Sequence, residues 1–212
     1  MDFKEVSGLL GQGMKLPLPG KDAHLLMSPN PVDLRRFDPI LPTDYRKGAV
    51  LILVYPENQK AFFPLIKRPD YPGIHSGQIA FPGGKMEPGD SDIIQTALRE
   101  ASEEVGIYPE NVRIIGRMSD LFIPASNFLV SPILGFSDSR PDFVPEVREV
   151  SRIIPTALRE LFLPELRKRK VLEINNDFRL DTPYFEVDQE MVWGATAMIL
   201  SELIQLLENG KH

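Results

Sequence analysis

The chain reads as an α/β sandwich preceded by an N-terminal extension. Three observations predict it. Apolar runs of strand length recur along the sequence, each bounded by turn-forming residues. Two longer segments, residues 91–106 and 191–207, carry apolar residues at helical spacing instead. The elements then follow in the order β-β-β-α-β-β-β-α-β-β-α, which is not the regular β-α alternation of a dinucleotide-binding sheet.

Residues 1–47 form the extension. Phe3, Val6, Leu9 and Leu10 predict a short amphipathic helix that ends among Gly8, Gly11 and Gly13. The six prolines from Pro17 to Pro42 predict extended chain after it. Leu25, Leu26, Met27, Leu34, Phe37, Ile40 and Leu41 make this segment too apolar for a free tail, so it packs on its own domain or on a second copy of the chain as a homodimer. Residues 48–212 are expected to form one domain. Residues 49–55 read as a buried strand, 57–60 as a polar turn and 61–67 as the returning strand of a hairpin. A loop over 68–77 leads to a short strand, 78–81, and a glycine turn. Beyond the first helix, 112–118 and 127–136 are strand-like and 137–145 is a loop. A strand at 147–154 and a short helix at 156–163, stopped by Pro164, come next. Residues 171–174 and 184–187 form a late hairpin around 175–177, and the final helix stops near Gly210.

Composition narrows the function. Forty-two per cent hydrophobic and 25% charged residues are ordinary for a globular domain of 212 residues with a proper core. No apolar run is long enough to span a bilayer, and Met1-Asp2-Phe3-Lys4-Glu5 lacks the basic and apolar regions of a signal peptide. The absence of cysteine excludes disulfides and thiolate chemistry and fits a cytoplasmic protein. A net charge of −6 argues against a nucleic-acid footprint or an anionic membrane surface as partner, although an acidic protein can bind a phosphorylated small molecule through metal ions. The run Arg167-Lys168-Arg169-Lys170 accordingly reads as a solvated turn. His24, His75 and His212 are too scattered for a histidine metal site.

The most informative stretch is the glycine turn and the helix that follows. Ile94, Ala97, Leu98, Ala101 and Val105 mark a core-facing stripe, with the carboxylates of Glu100, Glu103 and Glu104 outside it in an arc of roughly 100°. Like charges so placed repel by about 0.2–0.5 kcal/mol per i,i+4 pair unless a cation lies among them. A hard divalent cation with oxygen ligands suits them, and Arg99 offsets part of the repulsion by pairing with Glu103.

This stretch resembles the Nudix box, Gly-x5-Glu-x7-Arg-Glu-U-x-Glu-Glu-x-Gly-U with U a bulky aliphatic residue. Its right half is present as Arg99-Glu100-Ala101-Ser102-Glu103-Glu104-Val105-Gly106-Ile107, with a small Ala101 at U. In the left half Asp90 replaces the first Glu, and eight residues separate it from Arg99. Either Ser91 takes that position or the loop holds one extra residue. Upstream, the run from Leu65 through Arg68 and Gly77 to Phe81-Pro82-Gly83-Gly84 resembles the accessory motif of the coenzyme A pyrophosphatase branch. Lys67, Pro69 and Gly73 depart from that motif, the last replacing an Arg. The 192–197 segment also looks like that branch.

The resemblance implies a Nudix-type α/β/α sandwich with a mixed sheet and hydrolysis of the coenzyme A pyrophosphate to 3′,5′-ADP and 4′-phosphopantetheine. It implies Mg²⁺ or Mn²⁺ on Glu100 and Glu104, with Glu103 either ligating or fixed by Arg99, and the backbone near Gly84 close to the metal. The general base is left among Glu146, Glu149 and Glu103. Arg68, Lys67, His75 and Gly83 are expected at the substrate. Phe81 is expected in the core and Trp193 as a packing residue. ADP-ribose or NADH as substrate, and a regulatory module that binds nucleotide without cleaving it, are the alternative readings.

Overall fold

The computed structural model describes residues 1–212 except Pro39, residues 71–75, residues 176–177 and His212, together with the side chains of residues 174–178. The expected position of His75 and the tip of the late hairpin lie outside the described residues.

Strand β1 (Arg46–Glu57) is the axis of the fold. It runs parallel to β7 (Phe128–Phe136) over nine residue pairs, from Arg46 opposite Phe128 to Val54 opposite Phe136. Its other edge is shared: the first half pairs antiparallel with β4 (Gly83–Lys85), and the second turns through Asn58 and Gln59 into β2 (Lys60–Lys67). Both turn residues take positive φ, as a tight hairpin requires. β2 then pairs with β3 (Ile79–Ala80) and with β8 (Arg152–Ala157). On the far side β7 carries β5 (Arg113–Arg117) and β6 (Leu121–Ile123). One mixed eight-stranded sheet results.

Alternation along β1 sorts its side chains to two cores. Ala49, Leu51 and Leu53 face helix α3 (Ile93–Val105), where Ala97, Ala101 and Val105 are fully buried. Ile52 and Val54 face the opposite layer, built from α1 (Phe3–Gly13), α2 (Gly20–Leu26) and α4 (Gly194–Asn209). The extension is therefore part of the second layer. Val6 and Leu10 of α1 enter the core beside α4, and His24 of α2 meets Glu202 of α4 at 3.0 Å with both side chains buried. Glu202 also accepts the Gly20 and Ser119 amides, at 3.2 and 3.3 Å. A three-stranded sheet of β9 (Arg167–Asn175), β10 (Phe178–Val187) and β11 (Glu190–Trp193) completes the chain.

Several expected boundaries are corrected. Residues 147–149 are a turn and 150–151 lie outside any strand, because the amides before them close the end of α3: Val144 and Glu146 donate to the carbonyls of Val105 and Glu104, each at 3.0 Å. The strand begins only at Arg152. The short helix at 156–163 is a 3₁₀ turn, Leu158–Phe162. The final helix starts at Gly194, since residues 190–193 pair with β10. The basic run is not a turn but the start of β9, where Lys168 pairs with Glu186 at 2.6 Å and Arg169 with Asp181 at 2.7 Å. Helix α2 and strand β6 were not foreseen; both are short and owe their form to tertiary contacts.

Candidate active site

Asp92 starts α3 by accepting the Gln95 amide at 2.8 Å, and Gly106 ends it in the left-handed region. Between these caps the helix presents its carboxylates at three depths. Side-chain exposure falls from 59% at Glu103 to 13% at Glu100 and 1% at Glu104. The expectation that the carboxylates all lie outside the buried face is thus corrected: Glu104 sits four residues after a core alanine's neighbour and points into the seam with the sheet.

The glycine turn explains why. Gly83 donates its N–H to Glu104 Oε2 at 2.8 Å, and its carbonyl accepts from Arg68 Nη2 at 3.2 Å. Its φ of +155° and a would-be Cβ only 2.2 Å from the Ala49 carbonyl oxygen exclude any other residue. At Gly84 a Cβ would lie 2.4 Å from the Glu100 carboxylate, so the missing side chain is the space that carboxylate occupies. Arg68 also stands 3.6 Å from Glu104 Oε1.

Arg99 braces this turn. Its Nε and Nη2 hold Asp90 at 2.9 and 3.1 Å, and it also reaches Glu100, Glu103 and the Lys85 carbonyl, each at 3.0 Å. Asp90 accepts further from Thr96 and from the Glu87 amide, at 2.9 Å each. Its carboxyl is held well below the usual range, chiefly by the Arg99 hydrogen bonds. Asp90 therefore fills the acidic position beside Arg99, Ser91 does not, and the extra residue belongs to the loop. Arg99 thus ties the turn to two carboxylates of its own helix.

Burial pushes the Glu104 carboxyl up to about 7, with repulsion from Glu100 and Glu149 adding to it and Arg68 and the Gly83 amide opposing it. Glu100 is raised too, again by burial first, and Arg99 offsets part of the effect. Repulsion from the exposed Glu149 adds a little to the rise at both groups. Glu146 does not join them; its side chain accepts the Arg148 amide at 3.3 Å within its own turn. Lys67 is bound to Glu190 at 2.8 Å and does not line the cleft. Among the described residues no group of three acidic or histidine side chains is closed around one point, Arg99 drawing Glu100 and Arg68 drawing Glu104. The donor set nonetheless suits a hard cation: oxygen ligands only, desolvated and mutually repelling, a combination a dication relieves.

Beside the cluster lies a cleft of about 330 Å³. Its polar wall includes Arg68, Gly83, Gly84 and Lys85, and its apolar wall includes Ile79, Phe81, Phe128, Val130, Trp193 and Ile199. Phe81 is a core residue, as expected, packed 6.0 Å from the Phe63 ring, and it also forms part of this wall. Trp193 ends β11 and lines the cleft, which its expected role as helix packing did not include. Two polar liners escaped sequence reasoning altogether, Arg36 and Ser126. Neither stands in a motif.

Comparison with known proteins places residues 45–151 in a match to the NUDIX domain family. A Nudix hydrolase NudL of Pectobacterium atrosepticum, itself described as uncharacterized, is 39% identical over 130 residues, 61% of this chain and 66% of that protein. The NudL protein of Yersinia pestis is 32% identical over 183 residues, 85% of this chain and 89% of that one. Among solved structures, a MutT/nudix family protein from Enterococcus faecalis superposes with a TM-score of 0.50 at 14% identity, covering 79% of this chain and 64% of that chain, a likeness of fold.

Proposed function

This chain belongs to the Nudix hydrolase family, and on that premise we propose that it cleaves the pyrophosphate of coenzyme A or its thioesters. The observation that carries the reading is the seat of Arg68. This arginine of the accessory motif is docked on the Gly83 carbonyl and the Glu104 carboxylate at the lip of a largely apolar cleft. A guanidinium so placed can meet phosphate oxygens in a planar, two-point fashion. The aromatic and aliphatic wall suits the base and the arm that flank a diphosphate.

Glu100 and Glu104 would hold Mg²⁺ or Mn²⁺, which would neutralise phosphate charge and lower the pKa of bound water. The chain's own residues do the rest. Glu149 is the candidate to take the proton of the attacking water, since of the outside acids it is the one whose charge reaches both carboxylates. Arg99 and Asp90 are positioning residues that keep Gly83 and Gly84 against the helix. Water adds to one phosphorus, the bridging oxygen leaves with the other, and two phosphate monoesters result.

The test is a panel of CoA, ADP-ribose, NADH and nucleoside triphosphates with Mg²⁺ or Mn²⁺, with products identified by mass. CoA cleavage to 3′,5′-ADP and 4′-phosphopantetheine, abolished by Glu104→Gln, is expected. Turnover of ADP-ribose alone overturns the CoA reading; binding without product on any substrate makes the domain a regulatory module.

A further inference from the structure

The residues that line the cleft stand on adjacent strands. Lys85 pairs with Gly48, Gly48 with Val130, and Val130 with Leu121, so β4, β1, β7 and β6 lie side by side in register. Three strand spacings, about 14 Å, separate the glycine turn from β6. That is the reach of a nucleotide, not of a single phosphate.

At the β6 end the extension closes over the sheet. Its 3₁₀ turn, Leu34–Phe37, packs on β6 and brings Arg36 into the cleft. Arg36 Nη1 is shut off from solvent and has no hydrogen-bond partner among the described residues. Its acidic neighbour does not serve it: Asp33 is engaged by Arg35, with Nε at 2.8 Å and Nη2 at 2.7 Å. The Ser126 hydroxyl, also on the cleft, is likewise buried without a partner. Its turn is not loose, because Arg46 donates to the Ser126 carbonyl at 2.5 Å and covers the Phe128 ring at 4.2 Å. One guanidinium nitrogen and one hydroxyl, each without a partner among the described residues and each on a half-buried residue that lines the same cleft, are groups an anionic ligand oxygen would satisfy.

We propose that Arg36 and Ser126 form a subsite for a phosphate monoester on the substrate, at the opposite end of the cleft from the diphosphate that is cut. The proposal rests on the assignment of this cleft to the substrate, and it makes the N-terminal extension a specificity element. Of the substrates in question, coenzyme A carries such a monoester, on its ribose; ADP-ribose and NADH do not. The subsite would therefore select the first class over the second.

The experiment uses the full chain and two ligands that hold no diphosphate and cannot be cleaved there, 3′,5′-ADP and 5′-AMP, which differ by the monoester alone. Calorimetric titration is expected to show the former binding at least ten-fold more tightly. Arg36→Ala should erase that difference and leave 5′-AMP affinity unchanged, Arg36→Lys should retain part of it, and Ser126→Ala should reduce it a few-fold. Equal affinities for the two ligands in the wild-type protein overturn the subsite, as does an Arg36→Ala variant, folded by its melting curve, that weakens both alike. Should Arg36→Ala fail to fold, the wild-type pair and Ser126→Ala decide. A protein that discriminates the two ligands but does not cleave CoA would refute the proposed reaction and leave the subsite standing; one that cleaves CoA without discriminating would do the reverse.

Discussion

Removing the charge of Glu104 should stabilise the metal-free protein at alkaline pH and do nothing for it in acid. The carboxyl is raised from the ordinary 4.5 to about 7, mainly by burial. The unfolded chain thus releases this proton at a lower pH than the folded one does. The folded state is favoured by the neutral acid below about pH 4.5, loses that advantage as pH rises through about 7, and changes no further above it. The interval corresponds to about 3 kcal/mol, at about 1.36 kcal/mol per tenfold. Asp90 acts in the opposite sense but below its ordinary 3.8, outside this window. Glu100, also raised, adds to the fall in the wild type and in any Glu104 variant, so the difference between the two proteins reports Glu104 together with its repulsion by Glu100. Urea unfolding in chelator at pH 5 and pH 8 measures it. Glu104→Gln, which keeps an acceptor for the Gly83 amide, should exceed the wild type by less than about 1 kcal/mol at pH 5 and by about 3 kcal/mol at pH 8. Millimolar Mg²⁺ should close much of that gap by binding the wild type, a hundred-fold excess over Kd contributing about 2.7 kcal/mol. A pH-independent difference, or a wild type more stable than the variant at pH 8 in chelator, would mean that Arg68 and the Gly83 amide satisfy the buried charge unaided and that no dication is needed there.

Three further outcomes are expected. Glu100→Gln should lower CoA hydrolysis by at least about 100-fold, a typical loss for an electrostatic group at the reacting centre, while its melting temperature stays within a few degrees; a variant that unfolds would make the acid structural. Asp90→Asn should cost about 3 kcal/mol in denaturant unfolding, because it leaves Arg99 without its bidentate partner, whereas Ser91→Ala should change stability by less than about 0.5 kcal/mol; comparable losses at both positions would contradict the register seen here. Glu202→Ala should destabilise by about 3 kcal/mol, since His24 and the Gly20 and Ser119 amides lose one shared acceptor, and hydrogen exchange should show α2 opening first.

Much of α3 was legible because its signals are local. The apolar stripe through Ala97, Ala101 and Val105 states what α3 buries, and the helical segment read as 91–106 lies within about two residues of the helix observed. The spacing of Glu100, Glu103 and Glu104 likewise follows from helical geometry and places them on one side. What spacing does not carry is depth. Three acids within one arc were sorted into exposed, half-buried and buried by a partner the helix sequence does not contain, the Gly83-Gly84 turn, whose amide holds Glu104 and whose absent side chains make room for Glu100. The register question at Asp90 and Ser91 was settled in the same way, by which carboxylate Arg99 can reach.

The same division holds for the chain as a whole. Turn residues, apolar alternation and the box motif are properties of neighbours in sequence, and they determined the α/β class, the main strands and the family resemblance. Residues 147–151 were misread as strand because a pattern of alternating residues does not reveal that the amides beside them are claimed by the end of α3. Arg36, in a run with no motif, meets β6 and the cleft only because the extension folds back over a sheet assembled from strands far along the chain. Chemistry that depends on which distant groups share a low-dielectric space, and which of them are left without a partner, was decided by the tertiary structure alone.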